Sequence, residues 1–253
     1  MTQPRRLWPL IAGLAAATAV LLLAAEPALA QVMSIDMGDD TGSTTSRMVQ
    51  MVVLLTILSV APSILMMVTS FTRIVVVLSL LRHALGTQSA PPNMVMVSLA
   101  MFLTGFIMMP VFEQSYEQGI RPMIDGKVDE MKGLELAAKP FHGFMIKQVR
   151  DSDLKFFMNV ARVAQPKSLE AMPYRVLVPS FMISELRRAF EIGFLVFLPF
   201  LIIDMVIASL LMSMGMMMLP PTTIAMPFKL IFFVMVDGWV LIAGSLVQSF
   251  GVQ

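Results

Sequence analysis

The sequence predicts an all-α membrane protein: two long helical hairpins flanking a small helical extracytoplasmic module, with about four hydrophobic helices after removal of a signal peptide. Three observations carry that expectation. The 253 residues are 57% hydrophobic and only 14% charged, where soluble domains carry about 25% charged residues. Uncharged stretches recur at the length of about 20 residues that a helix needs to cross a bilayer. Of the 35 Lys, Arg, Asp and Glu residues, 22 lie between Glu113 and Arg188, so one polar module separates two apolar ones. The formal net charge is +1 and no long basic run occurs, so no nucleic-acid partner is expected. There is no cysteine, which excludes disulfides and thiolate metal sites.

The N-terminus comes first. Arg5 and Arg6 precede an apolar stretch from Leu7 to Leu23, and Ala28-Leu29-Ala30 supplies small residues where a signal peptidase reads them. Residues 1–30 are therefore read as a cleavable signal peptide, cut between Ala30 and Gln31. The alternative is an uncleaved first anchor, against which the short, alanine-rich core argues. Residues 31–47, with Gly, Ser, Thr and Asp clustered, read as a flexible linker that leaves the mature N-terminus extracytoplasmic.

Residues 48–112 read as the first hairpin. Met48 to Thr72 contains no charge, and the apolar run resumes after Arg73 as far as Leu81. Arg82, His83 and Pro91-Pro92 mark the turn, placed on the cytoplasmic side, and Asn93 to Phe112 forms the return helix. Residues 113–183 form the polar module. Its helical period puts Leu154, Phe157, Met158 and Ala161 on one face, with Asp151, Asp153, Lys155 and Arg162 elsewhere. So small a module buries only a modest core. Phe141, Phe144, Phe156 and Phe157 either complete that core or face another chain or the membrane-embedded part. Residues 184–253 read as the second hairpin, running from Glu185 through Ile192 to Leu211, broken at Pro220-Pro221 and returning from Ile224 to Phe250. No internal repeat relates the two hairpins.

Four ionisable residues fall within these apolar helices: Arg73, Asp204, Lys229 and Asp237. Each costs about 2.5 to 3.5 kcal/mol at a bilayer centre, so none is expected to face lipid. They are either buried ion pairs that fix helix packing or members of a proton or ion relay, and the first is favoured. Lys229 and Asp237 stand eight residues apart, about 12 Å along one helix, and cannot pair there. Asp204 with Lys229 is the expected pair. The second unusual feature is Met214-Gly215-Met216-Met217-Met218-Leu219-Pro220-Pro221, in a chain holding 26 methionines. Methionine is unbranched and repacks around different shapes. Three in succession on a turn either ring and seal a pore or are generic apolar filler; the residues alone leave both open.

For catalysis the sequence offers almost nothing. His83 and His142 have no metal-ligand spacing, and no nucleophile elbow or phosphate loop is present. No enzymatic activity, metal or cofactor is expected.

Three strings carry a family resemblance. Ser70 to Asn93 reads SFTRIVVVLSLLRHALGTQSAPPN, Ser184 to Pro221 reads SELRRAFEIGFLVFLPFLIIDMVIASLLMSMGMMMLPP, and Pro227 to Phe250 reads PFKLIFFVMVDGWVLIAGSLVQSF. These 86 residues, about a third of the chain, closely resemble the FliP family of flagellar type III protein-export gate subunits and its relatives in virulence injectisomes. Met94 departs from the family pattern, in which a glutamine follows the Pro-Pro-Asn turn. The resemblance implies a homo-oligomer, a pentamer, joined by FliQ-like and FliR-like subunits and other export-apparatus proteins. It implies a pore in the bacterial inner membrane at the flagellar basal body, with a periplasmic module, through which unfolded flagellar proteins pass. Met216, Met217 and Met218 are then a gasket around the closed pore, Asp204 and Lys229 the family's buried charged pair, and Phe144, Phe157 and Glu185 subunit contacts. A cleavable signal favours the flagellar branch over the injectisome branch. A proton-coupled secondary transporter using Asp204 and Asp237, and a membrane scaffold without a conduit, are the rival expectations.

Overall fold

The computed structural model describes residues 44–251 except Gln88, Gln165, Lys167, Met217 and Met218. The proposed cleavage site at Ala30 and Gln31, and two of the three gasket methionines, lie outside the described residues.

The described chain is helical throughout. In order come α1 (Thr44–Met67), α2 (Phe71–Ala84), α3 (Asn93–Ser115), a five-residue π-helical turn (Tyr116–Ile120), α4 (Arg121–Ile124), α5 (Glu130–Gln148), α6 (Asp151–Val160), a short 3-10 turn (Leu169–Ala171), α7 (Tyr174–Ser213), α8 (Pro221–Met235) and α9 (Gly238–Gln248). Among the described residues, two helical rods are long and apolar enough to span a membrane: Asn93–Ile124 and Tyr174–Ser213. The α8–α9 pair qualifies only as one span bent by 64°.

Several boundaries differ from those read in the sequence. The segment expected to be linker already enters α1 at Thr44. The apolar run through Leu81 is broken at Val68–Ser70 into α1 and α2; Thr69-Ser70 is its only pair of adjacent polar residues before Thr72 and Arg73, and its hydroxyl residues favour local turns over helix interior. The last long helix begins at Tyr174, ahead of the hairpin start read at residue 184, because Pro179 is tolerated inside it. At about 1.5 Å per residue its 40 residues reach about 60 Å. The return helix is interrupted at Val236–Asp237, where Asp237 adopts φ 50°.

α2 is the central element. It packs on α7 and α3, and its Ile74, Val77 and Leu78 meet Ala100, Leu103 and Ile107 of α3 and Ala189 of α7 in one apolar core. A second core, built from Met145, Leu154, Met158, Val176, Leu177 and Phe181, joins α5, α6 and the start of α7. Phe141, Phe144 and Phe157 pack against it while Phe156 stays exposed, so three of the four module aromatics contribute to their own chain's interior. A third core, with Leu81, Phe200 and Phe233, links α2 to the α7–α8 hairpin. α5 is held against the π-helical turn by close approach: a Cβ at Gly119 would lie 2.4 Å from the Ala137 backbone nitrogen, and the Ser115 hydroxyl donates to the Ala137 carbonyl at 2.8 Å.

The α7–α8 turn follows directly from its residues. Met216 N–H bonds the Leu211 carbonyl at 3.0 Å and Gly215 N–H bonds the Met212 carbonyl at 3.1 Å. These are the two bonds of a Schellman cap, which needs a left-handed residue after the helix, and Gly215 supplies it at φ 74°. Pro221 then opens α8 at its first turn, where the missing N–H costs nothing.

Candidate functional site

Two buried ionic centres hold α2 at its two ends. Arg73, near the start of α2, is fully buried, as is Glu185. Arg73 Nε donates to Glu185 Oε2 at 2.9 Å and Nη2 donates to Glu185 Oε1 at 2.5 Å. Nη1 donates to the Ser249 carbonyl at 3.1 Å and to its hydroxyl at 2.9 Å. Nη2 also donates to Gln148 Oε1 at 3.2 Å. A guanidinium has five N–H donors in a fixed fork, and these five bonds engage all of them. The ring of Phe250 lies 3.7 Å from the guanidinium carbon, adding cation–π attraction in a site with little water. Gln148 Oε1 further accepts from Arg188 at 2.9 Å. One buried cation thus gathers α2, α5, α7 and the end of α9, and the ion pair is tolerable at this depth because its remaining donors are satisfied.

α6 is anchored beside this cluster. The Ser184 hydroxyl donates to Asp153 Oδ2 at 2.7 Å and accepts the Arg150 backbone N–H at 3.1 Å. Asp153, read from periodicity as lying off the apolar face, is buried against α7 for this reason.

The second centre lies at the other end of α2. Lys229 Nζ, on α8, donates to Asp204 Oδ2 of α7 at 2.6 Å and to the carbonyl of Ala84 at 3.1 Å. Ala84 is the last residue of α2, so its carbonyl has no partner within the helix, and a cation there also meets the negative end of the helix dipole. Lys229 is buried, whereas the Asp204 side chain remains 34% exposed. Asp204 Oδ1 is enclosed and has no hydrogen-bond partner among the described residues. Since Arg73 faces Glu185, and Lys229 joins Ala84 to Asp204 further along, α2 and α7 run in the same direction with an ionic centre at each end.

Asp237 sits at the exposed junction of α8 and α9 rather than within a helix: the chain turns there, so the carboxylate emerges at the bend. Glu185, implied as a subunit contact, is enclosed by its own chain, because Arg73 takes both its oxygens. Phe144 is half-buried, edge-on to Phe181 and stacked with Phe250 at 6.1 Å; Phe157 is half-buried beside Phe156. Met216 is 43% exposed, and Met212 and Met214 are also exposed around the same cap. Periodicity did not single out Gln148, Ser249 or Phe250; the small polar Ser249 ahead of Phe250-Gly251 is the signal for them, and it reads as an ordinary helix end. Among the described residues no group of three or more His, Asp or Glu side chains is arranged to hold a metal ion.

A family model described as the FliP family matches residues 54–246. The flagellar biosynthetic protein FliP of Caulobacter vibrioides is 54% identical over 240 residues, covering 95% of this chain and 90% of that protein. Its namesake from Bacillus subtilis is 53% identical over 205 residues, covering 81% of this chain and 93% of that protein. The one from Agrobacterium fabrum is 49% identical over 211 residues, covering 83% and 86%.

Proposed function

Because the chain belongs to the FliP family, we propose that it is a pore-forming subunit of the flagellar type III protein-export gate. It assembles as a pentamer with FliQ-like and FliR-like subunits in the bacterial inner membrane and passes unfolded flagellar proteins outward. The residue 113–183 module then lies on the periplasmic side, at the basal body. The role is structural and conductive rather than enzymatic.

The observation that carries this reading is the exposed methionine turn. Met212, Met214 and Met216 are exposed at the tip of the α7–α8 hairpin, and Met217-Met218 continue the run in sequence. Flexible thioethers from several copies close a narrow passage against small solutes, yet yield to side chains of any shape. The rigid half of the device is the pair of ionic centres, which fix α2 and α7 so that the turn is carried on a stiff rod. Replacing Met216, Met217 and Met218 together by Ala tests the reading: the assembled complex is expected to leak ions and small solutes in membrane vesicles. Unchanged permeability in a fully assembled complex contradicts the gasket.

One observation favours a second reading, a proton-coupled transporter: the enclosed Oδ1 of Asp204, which has no hydrogen-bond partner among the described residues. Asp204→Asn separates the two. Loss of assembly identifies a structural pair, whereas normal assembly with abolished transport identifies a proton carrier.

A further inference from the structure

The cap at the end of α7 gathers sulfur as well as apolar surface. Met212, Met214 and Met216 are 59%, 64% and 43% exposed, and among the described residues no other five-residue stretch carries more than two exposed methionines. The chain has no cysteine, so its softest nucleophiles are thioethers, and no thiolate competes with them for a two-electron oxidant.

The same turn has no hydrogen-bond donor to spare. Met214 N–H bonds the Leu210 carbonyl at 3.1 Å, Gly215 N–H the Met212 carbonyl at 3.1 Å and Met216 N–H the Leu211 carbonyl at 3.0 Å. The Ser213 hydroxyl donates to the Leu210 carbonyl at 2.8 Å. A thioether asks for no donor and packs dry against its neighbours. A sulfoxide differs, because its oxygen is a polar acceptor that is costly to bury unpaired. With the donors of the turn already engaged, an oxygen added at Met212, Met214 or Met216 draws in water, and a ring of such oxygens is wet where a ring of thioethers is dry.

We propose that Met212, Met214 and Met216 form a modification site at which oxidation to methionine sulfoxide, by a two-electron oxidant such as hypochlorous acid, unseals the export pore. At each sulfur an S–O bond forms and the O–Cl bond breaks: sulfur gives up two electrons, chlorine leaves as chloride and the proton goes to water. The regulation rests on the gasket reading, in which the turns border a lumen that a molecule this small enters from either mouth. The reactivity of the three sulfurs rests on their exposure alone.

The test uses the full chain in its assembled complex, reconstituted into vesicles that hold a small dye and treated with hypochlorous acid. Peptide mass mapping reads where oxygen is added, and dye release reads permeability. Sulfoxide is expected at Met212, Met214 and Met216 before it appears at Met108 and Met145, both 0% exposed, with dye release rising alongside. Methionine sulfoxide reductases are expected to reverse both changes, using dithiothreitol, whose thiols become a disulfide as the oxygen leaves as water. Replacing all three residues by leucine, which has no sulfur, is expected to abolish the oxidant-induced rise above that variant's own untreated baseline. Sulfoxide at the three positions without a rise in release overturns the proposal. So does a rise that survives in the leucine variant or resists the reductases, which assigns it to another oxidised side chain such as Trp239. The unoxidised alanine variant of Met216, Met217 and Met218 separates the two ideas: if it is tight, the gasket falls and this proposal with it, whereas a leaking alanine variant beside an oxidant-insensitive wild type overturns this proposal alone.

Discussion

Glu185→Ala removes the only carboxylate that Arg73 contacts among the described residues and leaves a guanidinium enclosed at 0% exposure. Two of its five hydrogen bonds disappear, those from Nε and Nη2 to the carboxylate, while those to Ser249 and Gln148 and the contact with Phe250 remain. Breaking a buried pair from one side costs about 3 to 5 kcal/mol, because the surviving charge keeps its desolvation penalty. For a chain of this size each kcal/mol moves the midpoint by about 2 to 4 °C, so thermal unfolding of the purified protein is expected about 6 to 20 °C lower. Glu185→Gln retains one acceptor oxygen and is expected to lose less. Replacing both partners, Arg73→Leu with Glu185→Leu, removes the stranded charge and is expected to return to within about 2 kcal/mol of wild type. The reasoning is refuted if Glu185→Ala unfolds within about 1 kcal/mol of wild type, or if the double replacement is as damaging as the single one.

Other perturbations follow from the same geometry. Lys229→Met strands Asp204 and removes the donor to the Ala84 carbonyl; a loss of about 2 to 3 kcal/mol is expected by thermal unfolding, less than for Glu185→Ala because Asp204 is partly exposed. Gly119→Ala places a methyl group 2.4 Å from immobile backbone at Ala137, so α5 must move off the π-helical turn, at a cost of about 1 to 3 kcal/mol; limited proteolysis is expected to cut faster in the Asp125–Asp129 connection. Gly215→Ala is expected to cost about 1 kcal/mol, since alanine resists φ 74°, and hydrogen exchange should accelerate in the last turn of α7. Phe250→Ala removes the aromatic face over Arg73 and its stacking on Phe144; a loss of about 3 kcal/mol is expected from thermal unfolding.

Helical character and apolar organisation were legible because composition and long uncharged runs constrain them strongly. The Lys229–Asp204 contact was within reach of simple arithmetic. Residues 204 and 229 lie 13 and 12 residues from the centre of the Met214–Pro220 turn, so a closed hairpin brings them nearly level. Arg73 was legible as an anomaly but its partner was not. Glu185 is 112 positions away, and helical periodicity ranks residues by face without saying which distant helix that face meets. Glu185 also stands among Arg187, Arg188 and Glu191, where it looks like part of an exposed polar turn. Asp237 misled for the opposite reason. Hydropathy averages over a window, so a one-residue left-handed break inside an apolar run leaves no trace. The internal prolines carried too little weight as helix residues: Pro179 forfeits one hydrogen bond near the start of a 40-residue helix, and packing of the flanking Leu177 and Phe181 offsets it.

The account turns on methionine turns from different copies meeting around one axis. Because the chain contains no cysteine, Met216→Cys creates a single thiol whose disulfide can form only with another chain, and mild oxidation in native membranes reads out that proximity directly. A dimer-sized band is expected for Met216→Cys, with none for the control Leu134→Cys, which is exposed on the polar module. Monomer alone from Met216→Cys, in membranes where the assembled complex is present, contradicts the account.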